Sequence, residues 1–299
     1  MKDKGTSILA KLKNKARASN ISYQQCLQLF FQEEFLRRLA KSPYADNFVL
    51  KGGLFIYTLT NFQSRATGDI DFLLRDISNE TKKVDKIITE IISIPTGLND
   101  VVILEAGKTE PIAIQMNYQG LSAQIVGHIK KVRLPFNIDI GIGDVIFPDP
   151  EKRIIKTQLE DYDAPVIFTY SLESTIAEKF EAMLQRFELT SRMKDFYDIF
   201  YLAQTFDFRG QRLQEAFSKT IHNRGTVLES DSLEKILRLA EDSSIQVRWR
   251  YFQKTIQRNM LSLSEIMQTL GIFLQPICEA VISGTALKKR WKAELQKWG

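Results

Sequence analysis

Cysteine and histidine are nearly absent from this sequence, with two of each in 299 residues. Cys26 and Cys278 sit in separate segments with helical spacing. They can build neither a disulfide framework nor a zinc site, which fits a reducing compartment. His128 and His222 have no second candidate ligand or nucleophile near them in the chain, which argues against a Ser-His-Asp hydrolase or a histidine-rich metal centre. Any chemistry must run on carboxylates and lysine. Long apolar runs are missing as well. The longest uncharged stretch, residues 111–129, is broken by Gln115, Asn117, Gln119, Gly120 and Gln124, which suits paired strands rather than a membrane span. The opening MKDKGTSILAKLKNKARASN is lysine-rich without the continuous apolar segment of a signal peptide, and it reads as a helix. No repeat or low-complexity tract occurs. A cytoplasmic protein with no membrane partner is expected.

What the chain does contain is ordinary for a globular protein: 44% hydrophobic and 26% charged residues. The net charge of +5, with a pI near 9.0, mildly favours an acidic partner. The length suggests about two domains. Residues 22–41 carry Leu27, Phe30, Phe31, Phe35 and Leu39 at helical intervals and stop at Ser42-Pro43. FVLKGG reads as a strand entering a glycine turn, LFIYTLTNF as the helix after it, and GDIDFLLRD as the next strand. SNETKKVDKIITEII reads as a helix with a capping serine or asparagine. Between residues 101 and 157, VVILEAG, IAIQMNY, SAQIVGHI, RLPFNIDIGIGD and RIIKT read as strands. The remainder is mostly helical. The expected plan is an α+β domain over residues 1–155, opening with helices to about residue 45, and a mainly helical domain over 156–299.

Two acids interrupt the apolar strand GDIDF. Residues two apart in a strand share a face, about 6.5 to 7 Å apart, so Asp69 and Asp71 project together and away from Ile70 and Phe72. Carboxylates that close repel unless a cation lies between them, and Mg²⁺ takes hard oxygen ligands of this kind. The other reading is a solvated edge strand. In PFNIDIGIG, Phe136, Ile138, Ile140 and Ile142 alternate with Asn137, Asp139 and Gly141. If this strand pairs beside GDIDF, Asp139 joins the other two acids in a site suited to phosphoryl or nucleotidyl transfer; otherwise it is a surface acid. In KGG, Gly52 and Gly53 allow the backbone to approach a ligand, and the helix that follows favours a phosphate. Lys51 and Arg65 are either phosphate contacts or ordinary exposed charges.

Farther on, SLESTIAEKFEAMLQRFELTSRMKDFYDIFYLAQTF contains two amphipathic helices. Ile176, Phe180, Met183, Leu184 and Phe187 line one; Phe196, Ile199, Phe200 and Ala203 line the other. Antiparallel packing through these faces would bring Lys179 towards Asp195, with Asp198 one turn on. In isolation this would be read as a surface ion pair.

The pieces FVLKGGLFIYTL, RATGDIDF, IAEKFEAM and RMKDFYDIFYL, in this order, resemble the AbiEii/AbiGii toxins, a family that includes the MenT nucleotidyltransferases. The resemblance covers residues 48–76 and 171–202. It implies a DNA polymerase β-like nucleotidyltransferase core, a mixed sheet with flanking helices, joined to a helical C-terminal domain. It further implies that Gly52 and Gly53 are the glycine motif, that Asp69 and Asp71 are the metal-binding pair, and that Lys179 and Asp195 are essential. Asp139 enters as third acid from alternation alone. Many relatives carry a hydroxyl residue directly after the glycines, where this chain has Leu54.

The implied reaction is transfer of a nucleotidyl group from an NTP, with Mg²⁺ on Asp69, Asp71 and Asp139. Lys51, Gly52, Gly53, Arg65 and Lys179 would meet the nucleotide. Asp139, Lys179 and Asp195 would share the catalytic work, with Asp198 as a neighbour. The acceptor implied is RNA, above all the 3′ end of tRNA, and a cognate antitoxin is the implied protein partner. Two basic segments suit RNA: VRWRYFQKTIQR, with Arg250, Lys254 and Arg258, and LKKRWKAELQKWG, with Lys288, Lys289 and Arg290 around Trp291 and Trp298. Each could equally be a solvated helix face with its aromatics buried. A small-molecule or protein hydroxyl as acceptor, or a non-catalytic binding module on the same fold, are the competing readings.

Overall fold

The computed structural model of the chain describes residues 3–19, 21–98, 101–112, 120–186, 192–256 and 261–299. The chain divides into two units, the first reaching Gly143 and including Glu151–Thr169, the second made of Asp144–Pro150 and Tyr170–Gly299. Most of the expected strand IAIQMNY lies outside the described residues.

The first unit runs α1 (Lys4–Ser19), α2 (Tyr23–Lys41), β1 (Phe48–Lys51), α3 (Gly52–Leu59), β2 (Ile70–Leu74), α4 (Thr81–Ser93), β3 (Ile103–Ile112), β4 (Gly120–Ile129), β5 (Val132–Gly141), β6 (Glu151–Ile154) and β7 (Val166–Thr169). All seven strands form one sheet in the order β3-β4-β5-β2-β1-β7-β6. Pairing is antiparallel except between β2 and β5 and between β1 and β7. This is the mixed α+β architecture expected, a central mixed sheet with flanking helices.

The helix α2 organises this unit. Ser22 and Gln25 close a capping box at its start, and the chain leaves the helix at Ser42, ahead of Pro43. Phe30, Phe31, Phe35, Leu36 and Leu39 are buried, and Phe35 meets Phe72 of β2, which in turn meets Phe48 of β1 edge-on. Gly127 in β4 lies directly under the Phe31 ring, where even a Cβ would overlap it. The burial of α2 also covers charged groups. Glu34 accepts from Arg37 and Arg38, each at 2.9 Å, and from the Thr96 hydroxyl at 2.6 Å. Arg38 donates onward to the carbonyls of Ile92 and Val102. These bonds tie α2 to the end of α4 and the entrance to β3. Helix α4 departs from expectation at its start: its N-cap is Glu80 with no side-chain cap, while Ser78 accepts only from the Glu80 amide. The strand β7 was not anticipated, because PVIFTY is too short a run to stand out beside the helices that follow.

The second unit contains α5 (Leu172–Arg186), α6 (Met193–Thr205), β8 (Phe208–Arg209), α7 (Gly210–Arg224), α8 (Ser232–Arg238), α9 (Ser243–Thr255), α10 (Leu263–Ser283), β9 (Arg290–Lys292) and β10 (Lys297–Trp298). Among the described residues α10 alone is long and apolar enough to cross a membrane. Its Ile266, Met267, Leu270, Phe273, Leu274 and Ile277 are instead buried in this unit, packed against α6, α7 and α8. The C-terminal segment is a small antiparallel sheet, β8-β9-β10, rather than a helix.

One buried acid gives a clear pH expectation. Glu33 on α2 is shut off from solvent, accepting the Gln158 amide at 2.7 Å. Burial pushes its carboxyl up to about 8, with Arg37 and Gln158 pulling the other way. The folded chain therefore holds Glu33 protonated at neutral pH while the unfolded chain ionises it, and stability falls as pH rises from about 4.5 to about 8. Glu33→Gln removes this loss. Its unfolding free energy from urea titrations should match wild type near pH 4.5 and exceed it increasingly to pH 8.5, by up to roughly 5 kcal/mol. Parallel pH profiles for the two proteins would contradict the assignment.

Candidate active site

In the sheet, β4, β5, β2 and β1 are consecutive neighbours, and their registers line up four polar residues. Ser122 is opposite Asp139, Asp139 is beside Asp71, and Asp71 is opposite Lys51. Adjacent strands lie about 4.8 Å apart and registered residues share a face, so the four form one ridge across the sheet. Alternation sends Ile70, Phe72, Ile138 and Ile140 to the other face, where all are buried. The ridge residues themselves are half-buried. The Ser122 hydroxyl donates to Asp139 Oδ1 at 2.6 Å and fixes the orientation of that carboxylate.

The glycine turn abuts this ridge. Gly52 has φ +67°, in the left-handed region, and a Cβ on it would overlap the Asp71 carboxylate. Backbone geometry and close approach thus both require glycine. A Cβ at Gly53 would meet Thr67 Oγ1 at 3.0 Å and Arg65 Nη2 at 3.4 Å, so the Arg65 guanidinium lies against the start of α3. That helix has no side-chain cap at Lys51, which leaves its first amides as anion donors. Leu54 is fully buried, so only its backbone can serve a phosphate. The loop into β2 is held from α2, where Gln28 and Gln32 both donate to the Gly68 carbonyl, at 2.6 and 2.8 Å.

The three expected acids differ in placement. Asp71 and Asp139 are registered neighbours, whereas Asp69 is exposed on the bend just ahead of β2. Among the described residues no group of three or more His, Cys, Asp or Glu side chains is gathered for a metal ion. The registered pair, half-buried and made of hard oxygens with one member oriented by a hydroxyl, is nevertheless a donor set that fits Mg²⁺.

In the second unit, Lys179 on α5 donates to Asp195 at 3.0 Å and to Asp198 at 2.7 Å, both on α6. Arg192 also bonds Asp195. Both aspartate side chains are 1% exposed and that of Lys179 is 12% exposed, so this is a buried network, not a surface pair. Burial alone would raise the Asp195 carboxyl, but Lys179 and Arg192 outweigh it and hold it below the ordinary range. Asp198 is as close a partner of the lysine as Asp195.

Beside this network stands one that the sequence did not reveal. Arg224, at the end of α7, contacts Asp144, Glu178 and Glu181 at 2.8, 3.5 and 2.7 Å. Tyr170 donates to Glu178, and Thr226 donates to Glu181. Burial disfavours the charge on Arg224, yet the carboxylates more than offset this and raise its pKa. Burial, then Glu178 and Asp144, keep the Tyr170 hydroxyl well above its usual range and hence protonated. Arg224 is far from the EK motif in sequence; only the return of α7 onto α5 brings them together. Ser122, Gln28 and Gln32 were missed for the same kind of reason, since neutral polar residues carry no charge signal.

Of the basic residues, Arg250, Lys254, Lys288, Lys289 and Arg290 are exposed, and Arg258 lies outside the described residues. The tryptophans of both segments face inward, as the alternative with buried aromatics has it. Trp249 donates to Leu261, Trp291 to Ala203 and Trp298 to Phe273. Trp291 and Trp298 join Phe273 in one aromatic cluster.

The fold has solved counterparts. JHP933 from Helicobacter pylori is similar with a TM-score of 0.52 and 17% identity, over 88% of this chain and 96% of that one. MenT4, the nucleotidyltransferase toxin Rv2826c from Mycobacterium tuberculosis H37Rv, is similar with a TM-score of 0.54 and 14% identity, over 90% of this chain and 98% of that one. At such identities the likeness speaks for the fold alone. No curated protein matches the sequence. The family described as nucleotidyl transferase AbiEii toxin, type IV TA system, matches residues 34–269, a span that includes the glycine turn, the carboxylate ridge and the lysine–aspartate helices, and the chain belongs to that family.

Proposed function

We propose that this chain transfers a nucleotidyl group from an NTP to a hydroxyl of RNA, in the first place the 3′ end of tRNA, and thereby arrests translation as the toxin of a toxin–antitoxin pair acting in the cytoplasm. The observation that carries the reading is the registered pair Asp71–Asp139 set against Gly52. That arrangement has no folding advantage, and it suits the binding of a metal-complexed triphosphate at a helix start.

In this reading Asp71 and Asp139, with Asp69 at the strand entrance, would hold Mg²⁺, which would neutralise triphosphate charge and acidify the acceptor hydroxyl. The backbone amides at Gly53 and Leu54 receive phosphate oxygens, and Lys51 and Arg65 balance their charge. The acceptor oxygen attacks the α-phosphorus, the bond to the β-phosphate bridge breaks, and pyrophosphate leaves. Asp139, oriented by Ser122, receives the hydroxyl proton. Lys179, fixed by Asp195 and Asp198, is the ammonium that the family resemblance would assign to the developing phosphate charge. Catalysis of this sort rests on placement and charge more than on covalent chemistry. The family's type IV designation implies a cognate antitoxin that counters this activity.

Incubation with each α-labelled NTP, Mg²⁺ and total RNA tests the reading. Label should move with tRNA, and Asp71→Asn should lower transfer by about 10²-fold or more while the thermal midpoint stays near wild type. Label appearing only on protein or on a small molecule would replace the acceptor. Full transfer and full growth inhibition by Asp71→Asn would leave a binding module instead.

Lys179→Ala has a mixed effect. It removes the proposed phosphate contact but also leaves Asp195 and Asp198 buried without their main cation. A stability loss of about 3–5 kcal/mol is expected, read as a lowered urea midpoint at pH 7. Lys179→Ala with unchanged stability would mean that the network is solvated in solution.

A further inference from the structure

We infer that the outward face of α9 is a docking surface for unpaired RNA, with Tyr251 as the residue on which a base stacks. This deepens the RNA-acceptor reading and rests on it. The helix divides cleanly. Ile245, Trp249 and Phe252 fall on one side; Ile245 and Trp249 are buried, and Phe252 packs on Trp249 and Tyr197. Val247, Arg250, Tyr251 and Lys254, at i, i+3, i+4 and i+7, share the opposite side. Tyr251 is 74% exposed and Val247 55%, while Arg250 and Lys254 are exposed beside them.

A tyrosine so largely turned to solvent gains little from folding, and two cationic residues share its face of the helix. A rise of 1.5 Å per residue places the Arg250 and Lys254 backbones about 6 Å apart along the axis, with Tyr251 between them. Residues 243–258 contain four basic residues and no acid. Among the described residues neither Arg250 nor Lys254 is paired with a carboxylate. A polyanion with accessible aromatic faces matches this surface in both charge and shape: cations track the backbone and the ring receives a base. The C-terminal basic segment lacks the second element, because Trp291 is buried and Trp298 is engaged with Phe273. An acidic protein would use the cations but has no special need of the exposed ring.

The test is anisotropy binding of the full chain to two fluorescein-labelled probes, total tRNA and a single-stranded RNA 12-mer, over a range of salt. Tyr251→Ala should weaken both by about tenfold with the salt slope unchanged, and Tyr251→Phe should bind as wild type. Arg250→Gln and Lys254→Gln should each flatten the slope of log K against log salt by about 0.7. All three positions are exposed, so thermal midpoints should stay at the wild-type value. If wild type binds RNA and these variants bind equally well, the α9 surface is wrong while the RNA acceptor stands. If wild type binds neither probe, the acceptor reading fails and this inference with it. If charge variants weaken RNA and a polyglutamate competitor alike and Tyr251→Ala weakens neither, the face is a generic acidic-partner surface, which also overturns the proposal.

Discussion

The parallel pairing of β2 with β5 is the constraint on which the first unit turns. It sets Asp71 beside Asp139, two carboxylates at strand spacing that would repel if nothing answered their charge. The surroundings supply several answers. Ser122 donates from one side, Lys51 stands in register on the other, and the start of α3, without a side-chain cap, adjoins Asp71. A slip of one residue between β2 and β5 would turn Ile70 and Phe72 outwards and the acids into the core, so burial of the apolar face enforces the polar register. Hydrophobic burial on one side of the sheet therefore positions charge on the other.

The second unit relies on burial differently. Lys179, Asp195, Asp198 and Arg192 form a set of two cations and two anions with the acids almost wholly withdrawn from water. Such sets add little net stability compared with apolar packing, because desolvation consumes most of the attraction. Their value lies in direction. An ammonium bonded to two fixed carboxylates cannot sweep through the rotamers open to a surface lysine, and its charge is available at one place. The neighbouring Arg224 network imposes similar order on Glu178, the residue before Lys179, with Tyr170 kept as a donor by the same burial and charge.

Much of this was legible from the chain. Strict alternation in FNIDIG assigned Asp139 to the polar side, and the same rule applied to GDIDF placed Asp71; the registers then brought the two together. The helical spacing of EKFEAM and KDFYDIF put Lys179 and Asp195 on facing helices. What sequence could not convey was partnership across distance. Ser122, Gln28 and Gln32 are neutral, and their roles come from register and helix packing. Arg224 reaches Glu178 and Glu181 through tertiary structure. Asp69 looked equivalent to Asp71 by period two, yet it falls on the bend before the strand begins, where that period no longer governs. In the C-terminal segment, tryptophans spaced among lysines suited either an RNA surface or a helix with its aromatics buried; their large apolar area favours burial, and the segment folds as a hairpin around them rather than as a helix.

That last case bears on how basic segments should be read. Aromatics beside cations in a sequence are ambiguous, since the same pattern arises when a ring anchors the element and the charges merely stay wet. Geometry separates the two. In α9, Trp249 satisfies its N–H on the Leu261 carbonyl and packs inward, which accounts for its presence without any ligand. Tyr251, two positions later, points the other way by helical phase, and no packing accounts for it. An anchor explains itself through the contacts it makes; the exposed Tyr251 ring, on a face with Arg250 and Lys254, makes none of that kind, and this difference is what sets α9 apart from the C-terminal segment.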